Sequence, residues 1–157
     1  MRQQGYSLLE VLIALLVLSI GLLGLAGLQT ASLQSNQSAA QVSQATFLAH
    51  DMFDRMRANR DDALDNRYSV AFSNSSDDFS GDSLTDFDRA EWLRQMESVI
   101  PGTRETGCGE DGGEQACGAS VNVDGNGRAE ITIRWVNTRL DEGDDQRLQS
   151  FTTVTHL

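Results

Sequence analysis

The chain has 157 residues, with 12 arginines, no lysine and 23 acidic residues, so its formal net charge is −11 at pH 7. A surface of this charge repels the phosphate backbone of nucleic acids, which excludes a general DNA- or RNA-binding role. Roughly 100 residues remain beyond a membrane-grade segment at the N-terminal end, and this length suits one small domain.

An apolar run extends over residues 8–28, and its one charged residue is Glu10. A helix of this length rises about 30 Å, which matches the hydrocarbon thickness of a bilayer. Arg2 precedes the run and the next basic residue is Arg55, so the positive-inside rule predicts a cytoplasmic N-terminus and an exported remainder. The alternative is a secretory signal that is cleaved near residues 24–26.

The residues around Glu10 resemble the start of the type IV pilins and pseudopilins. The shared features are a short basic leader that ends in Gly5, an acid at the fifth position after it, and an unbroken apolar stretch. In that family a prepilin peptidase cleaves after the glycine and the new N-terminus is methylated. The resemblance therefore implies cleavage between Gly5 and Tyr6 and methylation of Tyr6, although the first residue after cleavage is usually Phe in the family.

The same resemblance implies a role for Glu10 in assembly. A charged carboxylate costs roughly 2.5 to 3.5 kcal/mol at mid-bilayer and less near an interface. In the family its partner is the N-terminal amine that cleavage releases on a neighbouring subunit, and this pairing favours subunits staggered along a filament. The alternative is a glutamate near the interface that protonates or extends toward water.

Glycines recur every three residues within the apolar run. Gly21, Gly24 and Gly27 permit close approach of another helix, and they also favour local melting of the helix when it leaves the membrane. The alternative is that they have no special role, because glycine is common in membrane helices. Past residue 28 the chain becomes polar, and an apolar stripe at helical spacing predicts that the helix continues to Arg60. The stripe consists of Val42, Ala45, Ala49, Met52, Phe53 and Met56. The stretch DRMRANR that ends this helix resembles the minor pilins of the PilV type.

Residues 61–88 are rich in Ser, Asn and Asp and predict a loop. Thr85 and Asp88 approximate a capping box for a short helix that Pro101 and Gly102 would end. The predicted core residues of this helix are Trp92, Leu93, Met96 and Ile100.

Cys108 and Cys117 enclose a glycine-rich polar stretch. A disulfide between them would stabilise the fold by roughly 2.7 kcal/mol on the chain-entropy model. A metal site would need further Cys or His residues nearby, and the segment contains none, so we predict a disulfide in an oxidising compartment and no metal.

Alternating β-formers flank the turn at residues 124–127, which predicts a hairpin, and residues 147–157 predict a third antiparallel strand. The Asp124 turn partly matches a calcium loop, but it lacks the closing glutamate and fits turn chemistry better. We interpret the acidic residues 141–145 as a solvated turn, although either loop could hold a weakly bound cation.

The predicted fold is α+β and resembles the type IV pilins. Residues 1–5 are the expected leader, 6–28 the transmembrane half of the helix, 29–60 its amphipathic half, and 61–157 a globular part with a short helix and antiparallel strands. His50 and His156 lie far apart in the sequence, and no catalytic motif is present, so we predict neither an enzyme nor a cofactor.

The function that this resemblance implies is that of a minor pilin, which primes type IV pilus assembly at the bacterial inner membrane and lies at the pilus tip, in support of twitching and adhesion. The implied partners are other minor pilins, the major pilin, a tip adhesin, the prepilin peptidase and the inner-membrane assembly platform. One alternative is a minor pseudopilin of type II secretion. Another is a signal-anchored or secreted adhesin-like module that never enters a filament.

Overall fold

The computed structural model describes residues 7–73, 75–101, 103, 117–137 and 148–157. The chain divides into two compact units, residues 1–40 and 41–157. In chain order the elements are the helices α1 (Leu8–Ala58) and α2 (Arg60–Leu64), the strand β1 (Val70–Ser73), a 3₁₀ turn (Ser76–Asp78), the helix α3 (Leu84–Val99), and the strands β2 (Gly118–Val123), β3 (Arg128–Val136) and β4 (Leu148–His156). The predicted α+β class is confirmed.

The end of α1 differs slightly from the prediction. The helix was expected to continue to Arg60, but the backbone of Asn59 leaves the helical region, with φ −124° and ψ 58°, and the chain then forms the short helix α2. Arg55 and Arg57 occupy the last turn of α1, where the negative end of the helix dipole favours cations.

The apolar stripe of α1 is buried in the second unit, largely as predicted. The buried residues are Ala45, Leu48, Ala49, Met52, Phe53 and Met56. Val42 was predicted to belong to the stripe but is 44% exposed, and Leu48 is buried although the prediction omitted it. A helical period identifies a face, whereas the extent of burial depends on where the packing partner ends.

Within the second unit, α1 lies along the sheet and runs antiparallel to β3. Gln41 Oε1 accepts a hydrogen bond from Trp135 Nε1 near the end of β3 (3.2 Å). Arg57 Nη2 donates to Thr155 Oγ1 (2.9 Å), and Thr155 pairs with Ala129 near the start of β3. The helix therefore runs in the same direction as β4.

The sheet is antiparallel, with the strand order β1-β2-β3-β4. The predicted hairpin of β2 and β3 and the predicted strand β4 are confirmed. The prediction of three strands was wrong, because β1 pairs with β2 and lies in the stretch that we expected to be a loop. Four residues are too few for a clear alternating pattern, so β1 depends on the edge that β2 offers it.

The helix α3 is capped by Ser83 and not by the predicted pair Thr85 and Asp88. Ser83 Oγ accepts a hydrogen bond from the backbone N–H of Asp86 (3.1 Å) and donates one to Asp86 Oδ2 (2.6 Å). This is a capping-box arrangement that begins two residues earlier than expected. The side chains of Thr85 and Asp88 instead bind residues outside α3, such as Asp62 and Arg55, and do not cap the helix.

The predicted core of α3 is confirmed. Trp92, Leu93, Met96 and Ile100 are fully buried. Trp92 Nε1 donates to the backbone oxygen of Leu48 in α1 (2.8 Å). A buried indole N–H needs such an acceptor, so this bond sets the position of α3 along α1.

A partly buried polar cluster joins α1, α3 and the segment before β1. Asp88 accepts hydrogen bonds from Arg55 Nη1 (3.1 Å) and from the hydroxyl of Tyr68 (2.6 Å), and Tyr68 is fully buried. Asn59 Nδ2 donates to the Tyr68 oxygen (3.4 Å) and to Asp62 Oδ2 (2.9 Å). We call these five residues the polar cluster. A carboxylate at this depth is tolerated because a cation and a phenol both bind it.

The environment of the polar cluster fixes two protonation states. Burial alone would lower the pKa of Arg55, but its hydrogen bonds and ion pairs with Asp51 and Asp88 raise that pKa above its usual value. Burial is the larger cause, and the hydrogen bond to Asp88 the next, of a rise in the pKa of Tyr68 to about 12. At neutral pH the cluster therefore contains a charged guanidinium and a neutral phenol.

We predict that the second unit loses stability steeply between about pH 10 and pH 12. The pKa of tyrosine in an unfolded chain is about 10, and that of Tyr68 is about 12. The contribution of the neutral phenol is therefore complete below pH 10 and is lost as the pH rises through 12. Urea unfolding, followed by tryptophan fluorescence, should show a steeper alkaline fall in the free energy of unfolding for the wild type than for Tyr68→Phe.

The chain offers a matched control for this measurement. Tyr6 is the other tyrosine, and the absence of lysine reduces the number of groups that titrate in this range. The Tyr6→Phe variant should follow the wild type. Parallel pH dependences for the wild type and Tyr68→Phe would contradict the prediction.

Candidate functional site

Residues 8–28 of α1 form an apolar surface that is exposed on all sides. Every residue in this range is exposed, and most are large apolar side chains. Of the helices in the described part of the chain, α1 is the one whose length and apolar composition are sufficient to cross a membrane. We call residues 8–28 the apolar segment. Exposed apolar area is unfavourable in water, by about 25 cal/mol per Å², so this surface calls for lipid or other apolar helices.

Glu10 lies in the first turn of the apolar segment. The backbone N–H of Leu9 donates to Ser7 Oγ (3.3 Å), and the N–H of Glu10 donates to the Ser7 backbone oxygen (3.0 Å). Ser7 is thus the N-cap, and the positive end of the helix dipole favours an acid at Glu10. Over the described ranges, the Glu10 carboxylate has no hydrogen bond or ion pair.

The sequence analysis did not identify Ser7 as the N-cap of α1. Ser7 and Glu10 have the spacing of a capping box, and Ser7 performs the capping half of that motif. The start of the helix therefore stabilises the Glu10 carboxylate through the helix dipole, and the carboxylate can in addition bind a cation from another chain. Gly5 and Tyr6 lie outside the described residues, so cleavage and methylation there stay predictions.

The small residues of the apolar segment leave its surface open. A side chain added at Gly21, Gly24 or Gly27 would meet nothing within 4 Å. Packing within the chain therefore does not require these glycines, whereas close approach by another helix would use them. The chain is helical through all three positions. Local melting of the helix on leaving the membrane stays a prediction.

The hydroxyl groups in this part of α1 are satisfied by the helix itself. Ser19 Oγ donates to the backbone oxygen of Leu15 (2.7 Å), and Thr30 Oγ1 donates to that of Ala26 (3.0 Å). A hydroxyl that is bonded in this way is tolerated in an apolar environment. The remaining polar side chain of the apolar segment is Glu10, which is also its one charged residue.

The predicted disulfide is only partly visible. Cys117 precedes β2 and is 3% exposed, whereas Cys108 lies outside the described residues. The pairing of the two cysteines stays a prediction.

The turn between β2 and β3 has the predicted turn chemistry. Asp124 Oδ1 accepts hydrogen bonds from the backbone N–H groups of Asn126 and Arg128, each 2.9 Å long. The bond from Arg128, and then that from Asn126, lower the pKa of Asp124. Gly127 has a φ of +83°, which favours glycine at this position. The second acidic turn, residues 141–145, lies outside the described residues.

The polar cluster is the arrangement that sequence reasoning did not find. Arg55 and Asn59 belong to the DRMRANR stretch, which the sequence analysis noted only for its resemblance to minor pilins. Tyr68 and Asp88 lie in the stretch that we expected to be a loop. The sequence signal that could have indicated the polar cluster is a tyrosine within a run of polar residues, because a tyrosine that becomes buried needs a hydrogen-bond partner for its hydroxyl.

Comparison with known families gives two adjacent matches. The prokaryotic N-terminal methylation motif matches residues 1–26, and the type IV pilin Tt1218 family matches residues 27–86. No curated protein and no solved structure gives a significant match to the chain.

The two matches together cover the apolar segment, the rest of α1, α2, β1 and most of the polar cluster. The long N-terminal apolar helix and the small four-stranded antiparallel sheet match the α+β fold of that family. The matched motif at the leader, the matched domain that follows it and the architecture of the chain agree, and the chain is a type IV pilin.

Proposed function

We propose that this pilin is a minor pilin of the PilV type, which helps to prime type IV pilus assembly at the bacterial inner membrane and then lies at the pilus tip. The observation that carries the assembly role is the apolar segment, which is exposed throughout and has a single charge at its start. The DRMRANR stretch supports the minor subtype through its resemblance to minor pilins of the PilV type.

The proposed processing follows from the leader. A prepilin peptidase cleaves after Gly5 on the cytoplasmic face, and the new N-terminus at Tyr6 is methylated. Arg2 is the single basic residue before the apolar segment, which supports a cytoplasmic N-terminus and a periplasmic globular part. The oxidising periplasm would also permit the disulfide between Cys108 and Cys117.

The proposed role of Glu10 is to pair with the N-terminal amine of an adjacent subunit. A carboxylate in an apolar environment strongly favours a cationic partner. Because only processed subunits present an amine next to the apolar segment, the pairing would admit mature pilins and fix the stagger between neighbours. The proposed partners are other minor pilins, the major pilin, a tip adhesin and the assembly platform.

Deletion of the gene tests the assignment to a pilus. We expect few or no surface pili and intact type II secretion, measured by electron microscopy of sheared pili and by assay of a secreted enzyme in the same cultures. The reverse outcome would assign the protein to a type II secretion pseudopilus and overturn the pilus proposal.

Mass spectrometry of the N-terminus tests the processing step. The protein from assembled filaments should begin at Tyr6 and carry one methyl group on its amine, and Gly5→Val should retain the leader and remain in the membrane fraction. A secreted protein that begins near Gly27 would instead identify a cleaved signal and would contradict assembly.

Substitution of Glu10 tests the assembly carboxylate. A hydrogen bond to a charged group contributes about 1.5 to 3 kcal/mol, so Glu10→Gln should insert normally but enter filaments about tenfold less often or worse. Ser19→Ala is the matched control, because Ser19 bonds only to its own helix. Immunoblots of sheared pili and of membranes give the two readouts, and normal incorporation of Glu10→Gln would refute the role.

A further inference from the structure

The turn between β2 and β3 contains a chemically labile pair of residues. Asn126 is followed by Gly127, and this is the one place in the chain where glycine follows asparagine. An asparagine in this context deamidates readily in a flexible peptide, because glycine has no side chain to hinder the backbone nitrogen that attacks the amide. Asn126 is exposed, so water reaches its side chain.

Deamidation at this pair proceeds in two steps. The backbone nitrogen of Gly127 attacks Cγ of Asn126 and gives up its proton, a C–N bond forms in a five-membered succinimide ring, and the side-chain nitrogen leaves as ammonia. Water then opens the ring and leaves aspartate or isoaspartate at this position. In isoaspartate the main chain runs through Cβ, which would break the register of the hairpin.

The backbone of the turn has the wrong conformation for this attack. The Gly127 N–H donates to the backbone oxygen of Asp124 (3.0 Å), and φ is not positive at Gly125 or Asn126, which identifies a type I turn with Asn126 at its third position. At that position ψ is about 0°. Ring closure requires a ψ at which the Gly127 nitrogen eclipses Cβ of Asn126, so the backbone has to rotate first.

The attacking nitrogen is also engaged and shielded. Gly127 is buried, and a Cβ atom added there would lie 3.3 Å from Leu64 Cδ2 and 3.6 Å from His156 Nδ1. The Gly127 backbone oxygen accepts a hydrogen bond from the N–H of Leu157 (2.9 Å). Removal of the proton from the Gly127 nitrogen therefore requires that these contacts open.

Asp124 holds the turn closed from the other side. Its Oδ1 accepts hydrogen bonds from the N–H groups of Asn126 and Arg128, each 2.9 Å long, and its backbone N–H donates to the Arg128 oxygen (2.9 Å). Hydrogen bonds to a charged carboxylate are stronger than those between neutral groups. Because a rotation at Asn126 moves Gly127 and Arg128 away from Asp124, it would break these bonds.

We propose that Asn126 is a deamidation site that the hydrogen bonds of Asp124 keep unreactive in the folded protein, and that it reacts when the turn opens. Asp124 is thus a positioning residue that controls a chemical modification of its own turn. The inference is independent of filament assembly, because every contact that carries it lies within the second unit.

Peptide mass spectrometry of the purified full chain in detergent tests the protection. The conversion of each asparagine to aspartate and isoaspartate is followed over days in the native protein and in urea. We expect Asn126 to be the first asparagine to react in urea. In the native protein it should react about tenfold more slowly or less, because hydrogen bonds to the Asp124 carboxylate have to break first.

Two variants assign the protection to Asp124. Asp124→Ala removes the carboxylate, and Asp124→Glu keeps the charge but places it too far from the backbone for the bond to the residue two positions later. Each should raise the rate of deamidation at Asn126 in the native protein by about tenfold. Glu130→Gln is the matched control and should react at the wild-type rate, because it removes a carboxylate that binds the Arg128 side chain (3.0 Å) and leaves the bonds of the turn intact.

Tryptophan fluorescence in urea shows which variants are folded, and rates are compared among those that are. Asp124→Glu keeps the test decisive if Asp124→Ala does not fold. Three results would overturn the proposal. These are equal rates at Asn126 in the native and the unfolded chain, a wild-type rate in a folded Asp124 variant, and a reaction of another asparagine before Asn126 in urea.

Discussion

The exposed apolar surface of residues 8–28 is the constraint on which the function of this pilin depends. The surface surrounds the helix, so it cannot be buried by packing one face on a small domain. Lipid and a bundle of similar helices are the two environments that cover such a surface. One segment can therefore anchor a subunit before assembly and join it to others afterwards, and Glu10 is the single charge that such a transfer has to accommodate.

Later in the same helix, α1 has a single buried stripe in the second unit. Met52 and Phe53 lie in the core, and Arg55 begins the polar cluster one turn before the end of the helix. The cluster uses side chains from α1, from α3 and from the segment before β1, so it joins that segment to both helices. Trp92 performs a comparable task with an indole N–H, and these buried polar bonds fix the register of elements that apolar contacts alone would leave less specified.

Elements with a local period could be predicted from the sequence. The apolar segment, the stripe of α1, the core face of α3 and the hairpin each repeat a helical or alternating pattern over enough residues to be recognised. β1 and the cap of α3 could not be predicted in this way. β1 has too few residues for a pattern. Thr85 and Asp88 have the spacing of a capping box, but their side chains bind Asp62, Arg55 and Tyr68 instead of the helix start.

The sequence by itself determined that this chain has a membrane-grade helix with a processing motif at its start, because hydrophobic length and the position of one acid are properties of consecutive residues. Only the tertiary structure decided that Arg55 and Tyr68 meet at Asp88, and that the strands of the described sheet lie in the order β1-β2-β3-β4. Those contacts join residues far apart in the chain, and strand order follows from packing and pairing among distant segments. No local pattern in the sequence contains that information.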